Sequence, residues 1–243
     1  MATVVIILQA RMTSTRLPGK VLMPVLDYPL LAVELARLQC VKQAQQLVVA
    51  TTTQKTDDPI EALCKRLNVS CFRGDEDDVL SRYCGAAAFT QADSIIRVTG
   101  DCPLIDPTVV DAAIALYLSG EFDYVSNTMT RTYPRGLDVE VFSFDALEQA
   151  NREAVSVSHR EHVTPFFYTQ PKRFRLGELK QTGDHHDHRW TVDTPEDFQL
   201  ISKVLSVLLP RHGPLFSTQD VLDVLRQNPE WRLINSDVVQ KIH

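Results

Sequence analysis

The chain has 243 residues, 44% of them hydrophobic and 23% charged, the profile of an ordinary soluble globular protein. That length is at the upper end of what one core supports, and it buries roughly three quarters of the unfolded surface without disulfides or structural metals. A net charge of −6 and the lack of a basic stripe exclude a nucleic-acid binder, although a few cations gathered at one place can still hold phosphates.

The opening run Val4 to Leu8 is β-branched and apolar, as a central parallel strand buried on both faces would be. It is too short to span a membrane and no basic segment precedes it, so membrane insertion is not expected. A polar loop over residues 9–20 follows. Apolar periodicity then predicts a helix over 30–40, a strand over 46–52, a helix over 59–67 and a short strand over 69–72. A helix over 77–88, a strand over 94–99 and a helix over 108–119 continue the rhythm. Alternating strands and helices predict a mostly parallel sheet covered by helices on both faces, with ligands at the carboxyl ends of the strands.

The second half reads less regularly. Strands are expected over 123–127, 136–142 and 189–192, and helices over 144–153, 158–169, 196–208 and 218–227, with one more in the last few residues. With no repeat, low-complexity tract or long linker, residues 1–243 form one α/β domain. The five cysteines (Cys40, Cys64, Cys71, Cys84 and Cys102) are scattered without a Cys-x-x-Cys pair, which suits the reducing cytoplasm.

Three segments can do chemistry. The first loop brings Ala10, Arg11, Ser14, Arg16 and Lys20 together after a strand; its backbone N–H groups and cations would suit a polyphosphate. Otherwise it is a solvated surface loop. Its place at the carboxyl edge of the sheet favours the ligand. It lacks the Gly-x-x-x-x-Gly-Lys-Ser/Thr spacing of a P-loop. Next, Gly100-Asp101-Cys102-Pro103 puts a carboxylate at a strand end, where it could hold a hard cation such as Mg²⁺. Helix capping is the other use for Asp101, but Asp106 is better placed for that. Finally, Asp193-Thr194-Pro195-Glu196-Asp197 reads as a capped helix start, which explains Thr194, Pro195 and Asp197 and leaves Asp193 free to share a metal with Asp101.

These segments resemble the sugar-acid cytidylyltransferases, which make CMP-activated keto-deoxyoctulosonate and acylneuraminate. More closely they resemble the SpsF branch of spore-coat polysaccharide biosynthesis, to which Phe72-Arg73-Gly74, the run from Gly136 to Phe142 and Arg160-Glu161-His162-Val163-Thr164-Pro165 are also similar. The resemblance spans about residues 4 to 200. It implies a Rossmann-like three-layer α/β sandwich of the nucleotide-diphospho-sugar transferase type, CTP as a partner and a homodimer. It further implies that Ala10, Arg11, Ser14, Arg16 and Lys20 hold the triphosphate, that Asp101 and Asp193 hold Mg²⁺, and that Arg73 lies near the base.

The expected reaction is in-line attack of a sugar hydroxyl on the α-phosphorus, with Lys20, Arg11 and Arg16 neutralising the leaving pyrophosphate and Asp101 holding the metal. Arg135, Asp138 and Glu140 could face the acceptor sugar; alternatively Asp138 and Glu140 are the outward positions of an alternating strand. His159 and His162 fit a helix surface or a subunit contact, and His185, His186 and His188 either a polar loop or a transition-metal site. Two rival functions stand beside this one. A glycosyltransferase would commonly carry a second Asp where this chain has Cys102-Pro103, and a nucleotide-binding protein without turnover would not need the cations and both strand-end carboxylates.

Overall fold

The first strand shows how the layers arise. In β1 (Val4–Gln9), Val4, Ile6 and Leu8 enter one apolar cluster while Val5 and Ile7 enter another, because successive side chains of a strand point to opposite faces. A computed structural model describes residues 2–240 of the chain. After β1, a short hairpin of β2 (Pro24–Val25) and β3 (Tyr28–Pro29) leads into α1 (Leu30–Leu38), then β4 (Gln46–Thr52), α2 (Asp58–Arg66) and β5 (Ser70–Gly74). The chain continues through α3 (Val79–Thr90), β6 (Ser94–Thr99), α4 (Pro107–Leu118) and β7 (Tyr124–Ser126). It ends with β8 (Glu140–Ser143), α5 (Phe144–Glu153), α6 (Val157–His162), α7 (Pro165–Tyr168), β9 (Leu176–Glu178), α8 (Pro195–His212) and α9 (Thr218–Gln227).

Seven strands form one sheet in the order β5-β4-β1-β6-β8-β7-β9. β8 pairs antiparallel to both neighbours, and the other pairings are parallel. Helices α1, α2, α4, α8 and α9 contribute to the first cluster, and α3, α5 and α7 to the second, which makes three layers. The chain winds outward from β1 to β4 and β5, then crosses to β6 on the other side. The carboxyl ends of β1 and β6 therefore flank a topological switch point, where open α/β sheets bind ligands.

The expected first half matches the observed elements to within two residues. The second half departs in more places. The helix expected over 158–169 is two short ones, because Val163 takes φ 65° and Pro165 begins α7 at a position that cannot continue a helix. The strand expected from 136 begins only at Glu140; over Leu137 and Val139 the Asn127 side chain takes the place of a neighbouring strand, donating to Leu137 O at 2.7 Å and accepting from Val139 N at 2.9 Å. Residues 189–192 form no strand but a single bridge, Arg135 to Arg189. Strand β9 is an addition to the expected elements, since Gly177 at its centre hides the pattern; a Cβ there would lie 2.6 Å from the Phe122 ring. The helix expected in the last few residues falls partly on 241–243, outside the described residues; the described end of the chain holds instead a 3₁₀ turn at Pro229–Leu233.

Candidate active site

Asp57 shapes the first loop. It is fully buried beneath the loop, accepting from Thr51 and Thr52 at the end of β4 through one oxygen and from Met12 N at 2.8 Å through the other. Gly19 then closes the loop by donating to Met12 O at 2.8 Å, and its φ of 72° is a conformation that glycine adopts without strain. This closure turns Lys20, only 7% exposed, inward at the sheet's carboxyl edge.

There Lys20 Nζ donates to Asp101 Oδ2 at 2.8 Å and to Asp193 Oδ1 at 2.9 Å. The aspartates are 92 residues apart in sequence, and backbone contacts bring them together: Val192 N donates to Asp101 O at 2.8 Å, and Thr191 Oγ1 to the same carbonyl at 3.3 Å. Gly136 makes room for this strap. A Cβ there would come within 2.6 Å of Trp190 backbone, and its φ is 100°. The other oxygens are also held. Asp101 Oδ1 accepts from Thr99 Oγ1 at 2.6 Å; Asp193 Oδ2 meets Arg16 at 2.9 Å and Arg189 at 2.8 Å. Arg189 in turn pairs with the buried Asp197 of the α8 capping box.

Burial opposes charge on Lys20 and Asp101, but the opposite charges prevail. Desolvation would lower the Lys20 pKa; Asp101 and Asp193 raise it well above the ordinary value. Desolvation would raise that of Asp101, yet Lys20, Thr99 and Cys102 bring it down to about 2. Both groups are charged at neutral pH. Glu34 of α1, fully buried beside them, goes the other way: burial and then the charge of Asp101 push its carboxyl well above the usual range.

This cluster lines a cleft of about 860 Å³ together with Gln9, Ala10, Arg11, Ser14, Arg82, Arg97, Arg160 and His162. The structure thus brings together Ala10, Arg11, Ser14, Arg16, Lys20, Asp101 and Asp193. Arg11 sits at the rim, 3.7 Å from Glu76.

The remaining candidates lie elsewhere. Arg73 is outside the cleft, its guanidinium engaged by Thr52 O, Gln54 O, Asp58 and Glu61. Glu140 is buried, held by Arg97 and by Tyr124 Oη at 2.5 Å; it is not among the residues that line the cleft, and it is not an outward strand position either. Asp138 is held by Arg131 through two contacts of 2.6 and 2.9 Å. Arg135 lines a second cavity of about 500 Å³ with His188 and Trp190. Of the histidines, His162 lines the cleft, while His186 pairs with Asp184 at 2.7 Å. Among the described residues no three His, Cys, Asp or Glu gather as a metal site, so the transition-metal reading of His185, His186 and His188 has no support. Sequence reasoning missed Asp57, Arg97 and Arg189. Arg97, a lone charge in the otherwise apolar β6, carried a readable signal.

A cation-lined cleft with two convergent carboxylates, at the switch point of this sheet, defines the class as a nucleotidyltransferase. The cytidylyltransferase family profile matches residues 5–227, and the chain belongs to that family; it is a CTP-dependent enzyme. The chain is 40% identical to the uncharacterized protein MJ1063 of Methanocaldococcus jannaschii over 97% of its own length and 95% of that protein. It is 33% identical to the spore coat polysaccharide biosynthesis protein SpsF of Bacillus subtilis, covering 95% of this chain and 97% of SpsF. A solved cytidylyltransferase from Leptospira borgpetersenii superposes over the full length of both chains with a TM-score of 0.91 at 36% identity. A CMP:2-keto-3-deoxy-manno-octonic acid synthetase solved with CTP shares the fold at a TM-score of 0.64 and 17% identity, over 85% of this chain and 99% of that one. Among the described residues no helix is long and apolar enough to cross a membrane.

Proposed function

We propose that this cleft transfers the cytidylyl group of CTP to a hydroxyl of a sugar or sugar acid, with Mg²⁺, and releases pyrophosphate. The convergence of Lys20, Arg16, Asp101 and Asp193 on one point carries the reading. The donor set suits the metal: two carboxylates already share one cation, and Mg²⁺ is commonly held by one or two carboxylates with substrate phosphates and waters. When bound, it would supply charge withdrawal from the α-phosphate. The chain itself contributes positioning and charge neutralisation, which account for most of the rate enhancement in such transfers. Arg16 and Lys20 hold the phosphates and take up the charge that develops on the leaving pyrophosphate, while Ala10 and Ser14 shape the loop and Arg11 closes its rim.

The acceptor lies across the cleft, toward Arg97, Arg160 and His162. Full-length similarity to SpsF supports a sugar destined for a polysaccharide, made in the cytoplasm, where the five free thiols stay reduced. The resemblance adds a homodimer. The test is to incubate the protein with CTP, Mg²⁺ and a panel of sugars and sugar acids. Pyrophosphate release that depends on both metal and one acceptor supports the reading; release of nucleoside diphosphate from a CDP-sugar instead would make it a glycosyltransferase.

A further inference from the structure

The cation already seated between the two carboxylates is part of the chain. Asp101 Oδ1 is engaged by Thr99 and faces Cys102 Sγ, and Asp193 Oδ2 is shared by Arg16 and Arg189. The oxygens left for an incoming metal are Asp101 Oδ2 and Asp193 Oδ1. These are the two that Lys20 holds, at 2.8 and 2.9 Å. An ammonium and a divalent ion on the same pair of oxygens compete for them and repel each other, so each weakens the other's hold there.

Resting on the metal assignment above, we propose that Lys20 is a resident counterion that occupies the metal's place until a triphosphate draws it away. The lysine needs somewhere else to put its charge, since a buried ammonium without partners is costly. A triphosphate lying along Ala10, Ser14 and Arg16 supplies that place. Lys20 is suited to the exchange: its ammonium is a point charge on a flexible stem, so it can leave the carboxylates for phosphate oxygens without moving the backbone. Asp101 and Asp193 raise the Lys20 pKa, so the lysine is charged where the structure places it. Two consequences follow. The free protein holds divalent metal weakly, although two half-buried carboxylates converge in it. Nucleotide and metal bind cooperatively, each removing an obstacle to the other. Among the described residues no third His, Cys, Asp or Glu joins the pair, so the phosphates would complete the coordination.

The test is Mn²⁺ binding to nucleotide-free protein, read from the electron paramagnetic resonance signal of free Mn²⁺, for wild type, Lys20→Met, Asp101→Asn and the double variant. The expected result is that Lys20→Met binds one Mn²⁺ at least tenfold tighter than wild type and that adding Asp101→Asn removes the gain. Equal affinity in wild type and Lys20→Met, with binding lost in Asp101→Asn, overturns the counterion role and leaves the metal assignment standing. Binding that Asp101→Asn does not touch overturns both. Because Lys20→Met leaves Asp101 without its cation and could fail to fold, wild-type crystals give an independent answer. Grown with Mn²⁺ and a non-hydrolysable CTP analogue, they should show anomalous density at Asp101 and Asp193 and Lys20 Nζ on phosphate. Nζ still hydrogen-bonded to both carboxylates beside a bound ion would refute the exchange.

Discussion

Two half-buried ionic clusters meet the same cleft, and the elements that hold them make them different devices. Arg97, Glu140 and Tyr124 sit on strands β6, β8 and β7. Arg97 and Glu140 are cross-strand partners in the β6–β8 ladder, so their pairing is fixed by backbone register. Lys20, Asp101 and Asp193 lie on three connections outside the sheet, held by a few loop hydrogen bonds. The first cluster cannot rearrange without opening the sheet, while the second can exchange a partner by turning one side chain. Buried charge is therefore structural when a ladder holds it and available for chemistry when strand-end loops do.

The largest effect expected from this contrast is on stability. Glu140→Ala leaves the Arg97 guanidinium, 14% exposed at the cleft, without its carboxylate, and removing one partner of a buried pair costs about 3–5 kcal/mol. Denaturant unfolding should show that loss, and Arg97→Met in the Glu140→Ala background should recover part of it. A Glu140→Ala protein within about 1 kcal/mol of wild type would mean that water or a neighbour satisfies Arg97, and the distinction between the clusters would fail.

The mirror experiment acts on rate. Lys20→Ala and Asp101→Ala should each lower turnover a hundredfold or more, on the order of 3 kcal/mol of transition-state stabilisation. Steady-state pyrophosphate release measures it. Near-normal turnover in either variant removes that residue from the proposed chemistry.

How much of this could be read from the sequence follows the same division. Strands β1, β4 and β6 are apolar and buried on both faces, and their period survives in the sequence because each residue reports its own neighbours. The basic loop, Asp101 and Asp193 are legible as strand-end residues for the same reason. What could not be read is where distant segments touch. By sequence Asp193 is free of structural duty, but Arg189, four residues earlier, and Arg16 from the first loop both bind it. Glu140 and Asp138 read as ligand-facing carboxylates because their partners, Arg97 and Arg131, are supplied by tertiary pairing that no local pattern encodes. The strap at 189–192 has the residues of a strand, yet its neighbour is Gly136, whose positive φ lets two backbones pass too closely for a ladder.

A smaller effect tests how firmly Asp193 is positioned. Thr194 caps α8, accepting from Asp197 N at 3.3 Å, while the Asp197 carboxylate accepts from the backbone N–H groups of Asp193 and Thr194 at 3.0 and 3.2 Å. Thr194→Ala should cost about 1 kcal/mol in denaturant unfolding, the usual loss for a removed N-cap. No measurable change would show that Asp197 and Arg189 hold the strap by themselves.

A last test separates the His188 loop from Asp101 by pH. His188, half-buried against Trp190, has its pKa lowered from 6.5 to about 4, first by burial and then by the charge of Arg232; Asp187 opposes this and His185 adds to it slightly. The folded imidazole stays neutral in that interval, whereas the unfolded one takes up a proton near its ordinary pKa. The unfolded state thus binds more protons between those values, and stability must fall as pH is lowered from about 6.5 to 4. Asp101 acts in a lower window: its carboxylate stabilises the fold above the ordinary 3.8, and that contribution is lost as pH falls through about 2. Melting temperatures at closely spaced pH values should therefore show a decline in the upper window that His188→Gln flattens and Asp101→Asn leaves in place. If His188→Gln leaves that decline unchanged, other groups cause it, and the loop at 185–188 contributes nothing to the pH response.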